Sequence, residues 1–543
     1  MPSPLTSSQT TTFALSGVST IDPLLNENHY KWASSSSSKV ELTYSFPWIN
    51  GAYATWQLPY SLNSELQALN HFNLDSTQIS SAINALQAWA KVANITFTEV
   101  ADTATNVGDF RFAFSSSVGG NYWGWSSYPN NYWANAADVW INPIYASKDD
   151  WSIGSYNYLS IMHEIGHGLG LKHPGNYNVA GGGTAEPYLP TALDLRNYTI
   201  MSYTSSNYKF FDDITNTYIS VYPETPMVYD IAAIQYLYGA NNTTQTGNDT
   251  YRFDPSHPFY KSIWDAGGND TIDVSNFSTQ CTIDLTSGHY SSIGYINHGT
   301  GPNLYNGTNN LGIAFGAIIE NAIGGSGNDK IIGNQADNKL NGGDGNDIII
   351  GGGGKDIVDG GSGVDTIIFS SKLSNFTLAP AGTGFSIKDN VGSEGIATEI
   401  NVEKLQFNDH TLTVESTPSE KLAESYRLYK AAFNRVPDYE GLGFWYKAME
   451  HGASLSSVAD SFIHSNEFTS VYGAASTDAN FLTLLYQHVL GRNPDQGGYN
   501  FWINALQTDS RANVLIQFSE SAENKAEIAG IISHGIIYQE YIG

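Results

Sequence analysis

The chain is poor in the residues that cross-link, span membranes or bind polyanions. One cysteine, Cys281, stands among 543 residues, which excludes an intramolecular disulfide framework. Alone, it reads as a small buried apolar residue. No run of 18 apolar residues occurs, so no membrane-spanning helix is expected. The N-terminal stretch has no basic n-region, and Phe13-Ala14-Leu15 is too short for an apolar h-region, so a Sec-type signal peptide is not expected. Basic side chains number 24 against 52 acidic ones, a net charge of −28. Such a chain lacks the clustered Lys and Arg that nucleic acid requires and is a poor partner for anionic lipid, but it suits cations. Only 14% of residues are charged, against ~25% in ordinary soluble domains, so the charge is one-sided rather than dense. What the chain does have is apolar mass: 41% hydrophobic and 13% aromatic residues, enough for large cores and against wholesale disorder. The length corresponds to roughly three to four domains. Glycine is in excess, with 53 residues, about 10% against an average of ~7%.

The texture changes along the chain. Residues 1–22 are Ser/Thr-rich without periodicity and read as a flexible leader. Residues 40–46, 109–114 and 139–141 read as strands, the last ended by Pro143. After Asp75, a plausible N-cap, Ile79, Ile83, Leu86 and Ala90 recur at helical spacing through Ala93. A second helix is expected from about residue 158 to 170. From residue 241 the chain turns to glycine, asparagine, aspartate and single aliphatics. Inside this region lies a nine-residue repeat, beginning Gly324-Gly325-Ser326-Gly327-Asn328-Asp329-Lys330-Ile331-Ile332. Copies follow in register at 333–341 (with Asn338 in place of aspartate), 342–350, 351–359 and 360–368. After Thr417-Pro418 the composition turns helical. There Leu428-Tyr429, Arg435-Val436-Pro437-Asp438, Gly441 and Phe444-Trp445 match Leu485-Tyr486, Arg492-Asn493-Pro494-Asp495, Gly498 and Phe501-Trp502. These elements read as a turn followed by a helix anchored by core aromatics.

The most informative stretch is His163-Glu164-Ile165-Gly166-His167-Gly168-Leu169-Gly170-Leu171-Lys172-His173. His163 and His167 are one helical turn apart and leave the same face, so both imidazoles can bind one metal ion. Glu164 lies beside them, where a carboxylate can polarise metal-bound water. Gly170 can adopt positive φ and turn the chain, returning His173 as a third nitrogen ligand. Three neutral imidazoles with an open position suit a catalytic zinc site rather than a closed structural one. Downstream stands Thr199-Ile200-Met201-Ser202-Tyr203. With this pair of motifs the chain resembles the metzincin metalloproteases, and within them the serralysin family. The resemblance implies an α/β (α+β) protease domain over residues 23–240, with Met201 an apolar base under the zinc and Tyr203 a switchable ligand and oxyanion stabiliser. Tyr30-Lys31-Trp32, residues 173–177 and residues 230–240 are further family-like pieces. In the family a rim strand before the zinc helix pairs with extended substrate, and residues 135–142 are the candidate for it.

The nine-residue unit has its own physical logic. Its glycines form a tight turn with inward carbonyls, its aspartate offers a hard anionic oxygen to Ca²⁺, and its aliphatic fills a core between stacked turns. Asp329, Asp347, Asp356 and Asp365 are the expected carboxylate ligands, alongside turn residues Gly324, Gly327, Gly342, Gly345, Gly351, Gly354, Gly360 and Gly363. Ile331, Leu340, Ile349, Val358 and Ile367 are the expected core. Neutral Asn338 weakens or removes the calcium sites near it. The segment resembles the RTX repeats that follow the protease domain in serralysins, implying a parallel β-roll/β-sandwich domain over residues 241–415. Asp265 and Asp270 are calcium candidates in an entry turn at 264–272, and Gln245 stands where family members often carry arginine.

The resemblance further implies a protein secreted from a Gram-negative bacterium by type I (ABC) machinery, folding outside the cell as calcium binds. The leader then reads as a short propeptide, and Cys281 lies too far away for cysteine-switch latency. Residues 419–543 form an all-α module resembling one appended to various bacterial RTX exoproteins, for which contact with a cell surface or glycan stays open. The expected activity is hydrolysis of protein substrates with one catalytic Zn²⁺ and several structural Ca²⁺. Two rival readings stay open: a calcium-dependent adhesin with a vestigial protease domain, and an enzyme acting on a non-peptide ester or glycan.

Overall fold

A computed structural model describes the chain apart from residues 1–2, 5–8, 34–38, 50–70, 117, 120–121, 132–134, 146–149, 178–185, 206 and 542–543, and apart from the side chains of residues 3–4. It comprises two compact units, Met1–Ala322 and Ile323–Gly543.

The first unit is a layered α/β arrangement. Its sheet contains β1 (Val40–Ser45), β2 (His71–Phe72), β3 (Ile95–Glu99), β4 (Phe110–Ser115), β5 (Gly124–Ser126) and β6 (Val139–Ile141), with main order β3-β1-β4-β6-β5. The four strands from β3 to β6 are parallel. β5 runs antiparallel along β6, and β2 pairs antiparallel with β4. Helix α1 (Ser76–Val92) starts at Asp75, whose carboxylate accepts from Thr77 and Gln78 N–H, while the Gln78 side chain closes a capping box. Its buried face presents Ala82, Ala85, Leu86 and Trp89 to the core. Helix α2 (Tyr156–Gly168) starts two residues earlier than the spacing predicts, because Ser155 accepts from the Tyr158 N–H at 3.1 Å and caps it. Helix α3 (Val228–Tyr238) stops where Gly239 takes φ +80°.

Two expectations change here. Residues 135–142 do not form the rim: β6 lies between β4 and β5, with Val139, Trp140 and Ile141 all buried. A strand apolar on both faces belongs in a sheet interior; the half-exposed edge is β5, Gly124–Ser126. Nor is the described part of the leader free-standing. Gln9–Thr12 pairs antiparallel with Tyr30–Ala33, and the Asp22 carboxylate accepts from Ser16 N–H, Ser16 Oγ–H and Gly17 N–H at 2.6–2.9 Å. A threonine run pairs through its backbone and suits a half-buried pleat, so hydrophobic periodicity is not needed to order it.

In the second unit, short parallel strands follow one another with a constant offset. Lys330–Ile332 pairs with Ile348–Ile350, which pairs with Thr366–Ile368; Lys339–Asp344 pairs with Lys355–Ser362. Each pairing joins residue i to i+18, so one full turn holds two nine-residue repeats. Ile331, Leu340, Ile349, Val358 and Ile367 point inward and are all at most 2% exposed. The stack is close: a Cβ on Gly363, whose φ is +145°, would lie 1.7 Å from the Gly345 carbonyl oxygen.

Eight helices follow, in two sets of four: α4 (Glu420–Phe433), α5 (Tyr439–Glu450), α6 (Leu455–Ile463) and α7 (Asn466–Tyr472), then α8 (Asp478–Leu490), α9 (Gln496–Ala505), α10 (Arg511–Ser519) and α11 (Ala522–Ile532). The sets share their caps. Asp438 and Asp495 cap α5 and α9, Ser454 and Ser510 cap α6 and α10, and Ser465 and Ser521 cap α7 and α11. The repeated Tyr, Arg and Asp form a clasp: Arg435 lies 5.1 Å over the Tyr429 ring and Arg492 lies 5.2 Å over Tyr486. Trp445 and Trp502 pack on the helical core, but Phe444 and Phe501 are 40% and 64% exposed. Adjacent helical residues diverge by about 100°, so only one aromatic of each pair faces inward. After α11 the chain returns as a strand, Ile536–Tyr538, antiparallel to Thr411–Glu415. Among the described residues no helix is long and apolar enough to cross a membrane.

Because the repeat core is one inward aliphatic per nine-residue unit, Ile349→Ala is expected to destabilise the second unit by about 2–5 kcal/mol. Denaturant unfolding in calcium-replete buffer measures this, and a loss below about 1 kcal/mol contradicts the stacked-core packing.

Candidate metal centres

Helix α2 carries His163, Glu164 and His167 on its last turns, all buried. Beyond it Gly170 takes φ +105°, and the Asn26 amide donates to the Gly170 carbonyl at 2.8 Å, bracing the turn that brings His173 back. The Nε2 atoms of His163 and His173 are 3.0 Å apart, as are those of His167 and His173. The other nitrogens are occupied: His163 Nδ1 lies 2.8 Å from the Ile200 carbonyl and His167 Nδ1 lies 2.7 Å from the Leu171 carbonyl. A carbonyl only accepts, so both Nδ1 atoms carry the proton and both Nε2 atoms present lone pairs. Two lone pairs aimed at the third Nε2 at this distance make a ready seat for a cation. Nitrogens bound at ~2.0 Å to one tetrahedral zinc stand ~3.3 Å apart, close to the spacing here. Burial lowers the pKa of all three imidazoles, His167 to about 4, which keeps them in the neutral form a metal needs. The residues therefore fit zinc.

Glu164 Oε2 is buried with no hydrogen-bond partner among the described residues. Burial pushes its carboxyl up to about 8, partly opposed by a bond from the Ser126 backbone. Met201 is fully buried beneath α2, where a Cβ on Gly166 would lie 2.8 Å from its Sδ. Tyr203 is 49% exposed, with its ring 4.4 Å from that of His173 and 5.7 Å from that of His163. Sequence reasoning placed Asp230 in a family-like stretch but missed its role. It is fully buried on α3 and accepts from Thr199 Oγ–H (2.6 Å), Ile200 N–H (2.7 Å) and Met227 N–H (2.8 Å). It fixes the segment whose Ile200 carbonyl orients His163. The only signal was an aspartate inside an otherwise apolar helix pattern.

Asp265 and Asp270 converge in the first unit, joined by Asp249, with carboxylate oxygens within 4.8 Å of one another. Asp249 had a legible signal: Gly247-Asn248-Asp249-Thr250 repeats Gly268-Asn269-Asp270-Thr271, and the two segments pair in register, Thr250 with Thr271. Asp265 Oδ1 accepts from the Gly267 N–H at 2.9 Å, and Asp270 Oδ2 is buried without a partner. In the repeats Asp347 Oδ1 accepts from the Asp329 N–H (2.7 Å), and Asp365 Oδ1 accepts from the Asp347 N–H (2.8 Å). The second oxygens of Asp347, Asp356 and Asp365 are buried and unpartnered. They aim at the turns: a Cβ on Gly342, Gly351 or Gly360 would lie 2.3–2.7 Å from the Asp347, Asp356 or Asp365 Oδ2, and one on Gly324 2.8 Å from the Asp329 Oδ2. Gly345 stacks on the Gly327 carbonyl and Gly354 on that of Ala336. Orphaned buried carboxylate oxygens beside inward carbonyls fit a hard cation. Asn338 occupies the same place differently. Its Nδ2 donates to Asn334 Oδ1 at 3.1 Å and its Oδ1 accepts from the Asn334 N–H at 2.9 Å, so this turn satisfies itself without an ion.

The fold and these clusters define a multidomain α/β protein with a three-histidine cluster and stacked acidic turns. Comparison with known proteins goes further. Residues 229–418 match the family described as Peptidase M10 serralysin C terminal, and residues 459–528 match a domain of unknown function. The chain is 37% identical to serralysin of Proteus mirabilis over 54% of this chain and 59% of that protein. It is 37% identical to serralysin G of Dickeya chrysanthemi over 47% and 53%, and 34% identical to metallopeptidase AprA of Pseudomonas marginalis over 54% and 60%. These matches span a little over half of each relative's length. The chain is thus similar to serralysins over about half its length, and residues 459–528 match a separate domain of unknown function behind that region.

Two outcomes test the acidic turns. Asn338→Asp is expected to raise the number of calcium ions bound per chain, counted by native mass spectrometry; an unchanged count contradicts the role given to Asn338. Burial pushes Asp347 and Asp356 up to about 7, whereas an unfolded aspartate titrates near 4. The calcium-free fold therefore holds extra protons, and their stabilising contribution is complete below about pH 4 and lost as pH rises through about 7. Without calcium the melting temperature of the second unit should fall between pH 5 and pH 8, and a rise would contradict the assignment.

Proposed function

We propose that the chain is a secreted zinc-dependent endopeptidase, with His163, His167 and His173 as the metal ligands and Tyr203 as a switchable fourth. The observation that carries this reading is the convergence of three Nε2 atoms, those of His163 and His167 with their lone pairs free, near the unpartnered Glu164 Oε2. Zinc bound there supplies a Lewis acid that polarises the scissile carbonyl and acidifies a water. Glu164 takes the proton of the attacking water on Oε2 and returns it to the departing amine. The Tyr203 hydroxyl, on a half-exposed side chain, donates to the oxyanion. Met201 sets the floor of the site and the Ile200 carbonyl sets the His163 tautomer. The exposed backbone of β5 receives extended substrate by strand addition. We further assign residues 1–22 to a leader or propeptide, 23–240 to the metzincin-type protease domain, 241–415 to an RTX β-roll held by calcium, and 419–543 to a helical domain. Asp249, Asp265, Asp270, Asp329, Asp347, Asp356 and Asp365 hold calcium. Orphaned aspartates filled only at extracellular calcium suit type I export followed by folding outside the cell.

Glu164→Ala should reduce casein cleavage by about 10²–10⁴-fold while leaving the zinc content near one per chain, as read by zymography and metal analysis. Wild-type activity in a zinc-loaded, calcium-replete Glu164→Ala protein would sink the mechanism.

A further inference from the structure

The chain contains seven arginines. Six are paired with carboxylates: Arg111 with Asp102, Arg252 with Asp273, Arg427 with Glu420 and Glu520, Arg435 with Asp438 and Glu467, Arg492 with Asp495 and Glu523, and Arg511 with Asp478. Arg196 alone forms no ion pair among the described residues. In a chain with 52 acidic side chains this is the opposite of what chance proximity produces. Arg196 lies on the wall of a cavity of about 460 Å³ that it shares with Glu164, His163, Tyr203, Tyr156 and Leu159. Its guanidinium is held by neutral partners. Nε donates to the Ser202 carbonyl at 3.2 Å and Nη1 to Ser205 Oγ at 3.3 Å, and the Tyr222 ring lies 6.0 Å beneath it. These contacts fix the group's position without neutralising its charge, and the Nη2 donors bond to none of the described residues.

Resting on the peptidase reading above, we propose that Arg196 is a specificity-determining residue that receives a substrate carboxylate on the leaving-amine side of the scissile bond. The side follows from Glu164. The carboxyl that protonates the departing amine lines this same cavity, so the residue carrying that amine sends its side chain past Glu164 towards Arg196. A guanidinium offers a planar pair of N–H donors matched to the two oxygens of a carboxylate, and a cleft walled by protein strengthens the pairing relative to open water. The carboxylate has two sources: the side chain of Asp or Glu next to the cleaved bond, or the C-terminus of a short leaving peptide.

The test uses the zinc- and calcium-loaded full chain on matched quenched peptides bearing Glu, Gln or Lys after the scissile bond. Each is made with an amidated and a free C-terminus. The expected result is a kcat/KM for Glu at least about tenfold above Gln, shrinking as NaCl is raised, with Arg196→Glu shifting the preference towards Lys and Arg196→Lys weakening it. If the free C-terminus rather than the side chain confers the gain, the terminal carboxylate is the ligand. Equal cleavage of the Glu and Gln peptides by the wild type, with no gain from a free over an amidated C-terminus, overturns the assignment while leaving the peptidase reading intact. Failure to cleave any peptide overturns both. The wild-type comparison stands even if Arg196→Glu does not fold.

Discussion

Two backbone carbonyls, those of Ile200 and Leu171, hold the Nδ1 protons of His163 and His167 and so turn the remaining lone pairs towards His173. Much of the first unit serves to keep those carbonyls in place. The Leu171 carbonyl is set by the turn at Gly170, which Asn26 braces. The Ile200 carbonyl is set by Asp230, which gathers three donors from two segments at a fully buried position. A buried carboxylate bound this way is costly to disturb, because removing it orphans several donors at once. The orientation of a ligand on α2 therefore depends on an aspartate of α3, through a loop that touches both.

The second unit uses the same logic with the roles reversed. In the histidine cluster backbone carbonyls accept the Nδ1 protons of His163 and His167 and leave the Nε2 lone pairs free. In the repeats one aspartate oxygen accepts from the backbone of the turn eighteen residues earlier, and the other is left without a partner. Burial alone would drive protons onto these groups. On the proposed calcium reading, a divalent cation between turns would remove that demand and link each turn to the next, completing the neighbour contacts on which repeat stability rests.

How much of this was legible follows from how each feature is encoded. The histidine spacing and the nine-residue repeat are short and periodic, so the residues name their own geometry: His163 and His167 share a helix face, and Ile331 to Ile367 share an interior. The i+18 pairing is not written in any single repeat; it arises because two repeats complete one turn. Asp230 and Arg196 were not legible, since their meaning depends on partners in distant segments, Thr199 and Ile200 for one and the lack of any carboxylate for the other. The rim was misplaced for a related reason. Gly124–Ser126 has no alternation to mark it as a strand, whereas Val139–Ile141 is apolar enough to look like one anywhere in a sheet. The leader hid its pairing in backbone hydrogen bonds, which composition does not record.

The strand Ile536–Tyr538 closes one edge of a sheet in the second unit. It pairs with Thr411–Glu415 across about 120 residues of intervening helix, and Gly443 on α5 admits it closely, since a Cβ there would lie 1.8 Å from the Gln539 carbonyl. The helical residues between them carry the chain back to the sheet edge, whose amide and carbonyl groups would otherwise stand ready to pair with another chain. The helical module is thus like the clasp on a string of beads: it adds no bead, but brings the closing piece to the end of the string.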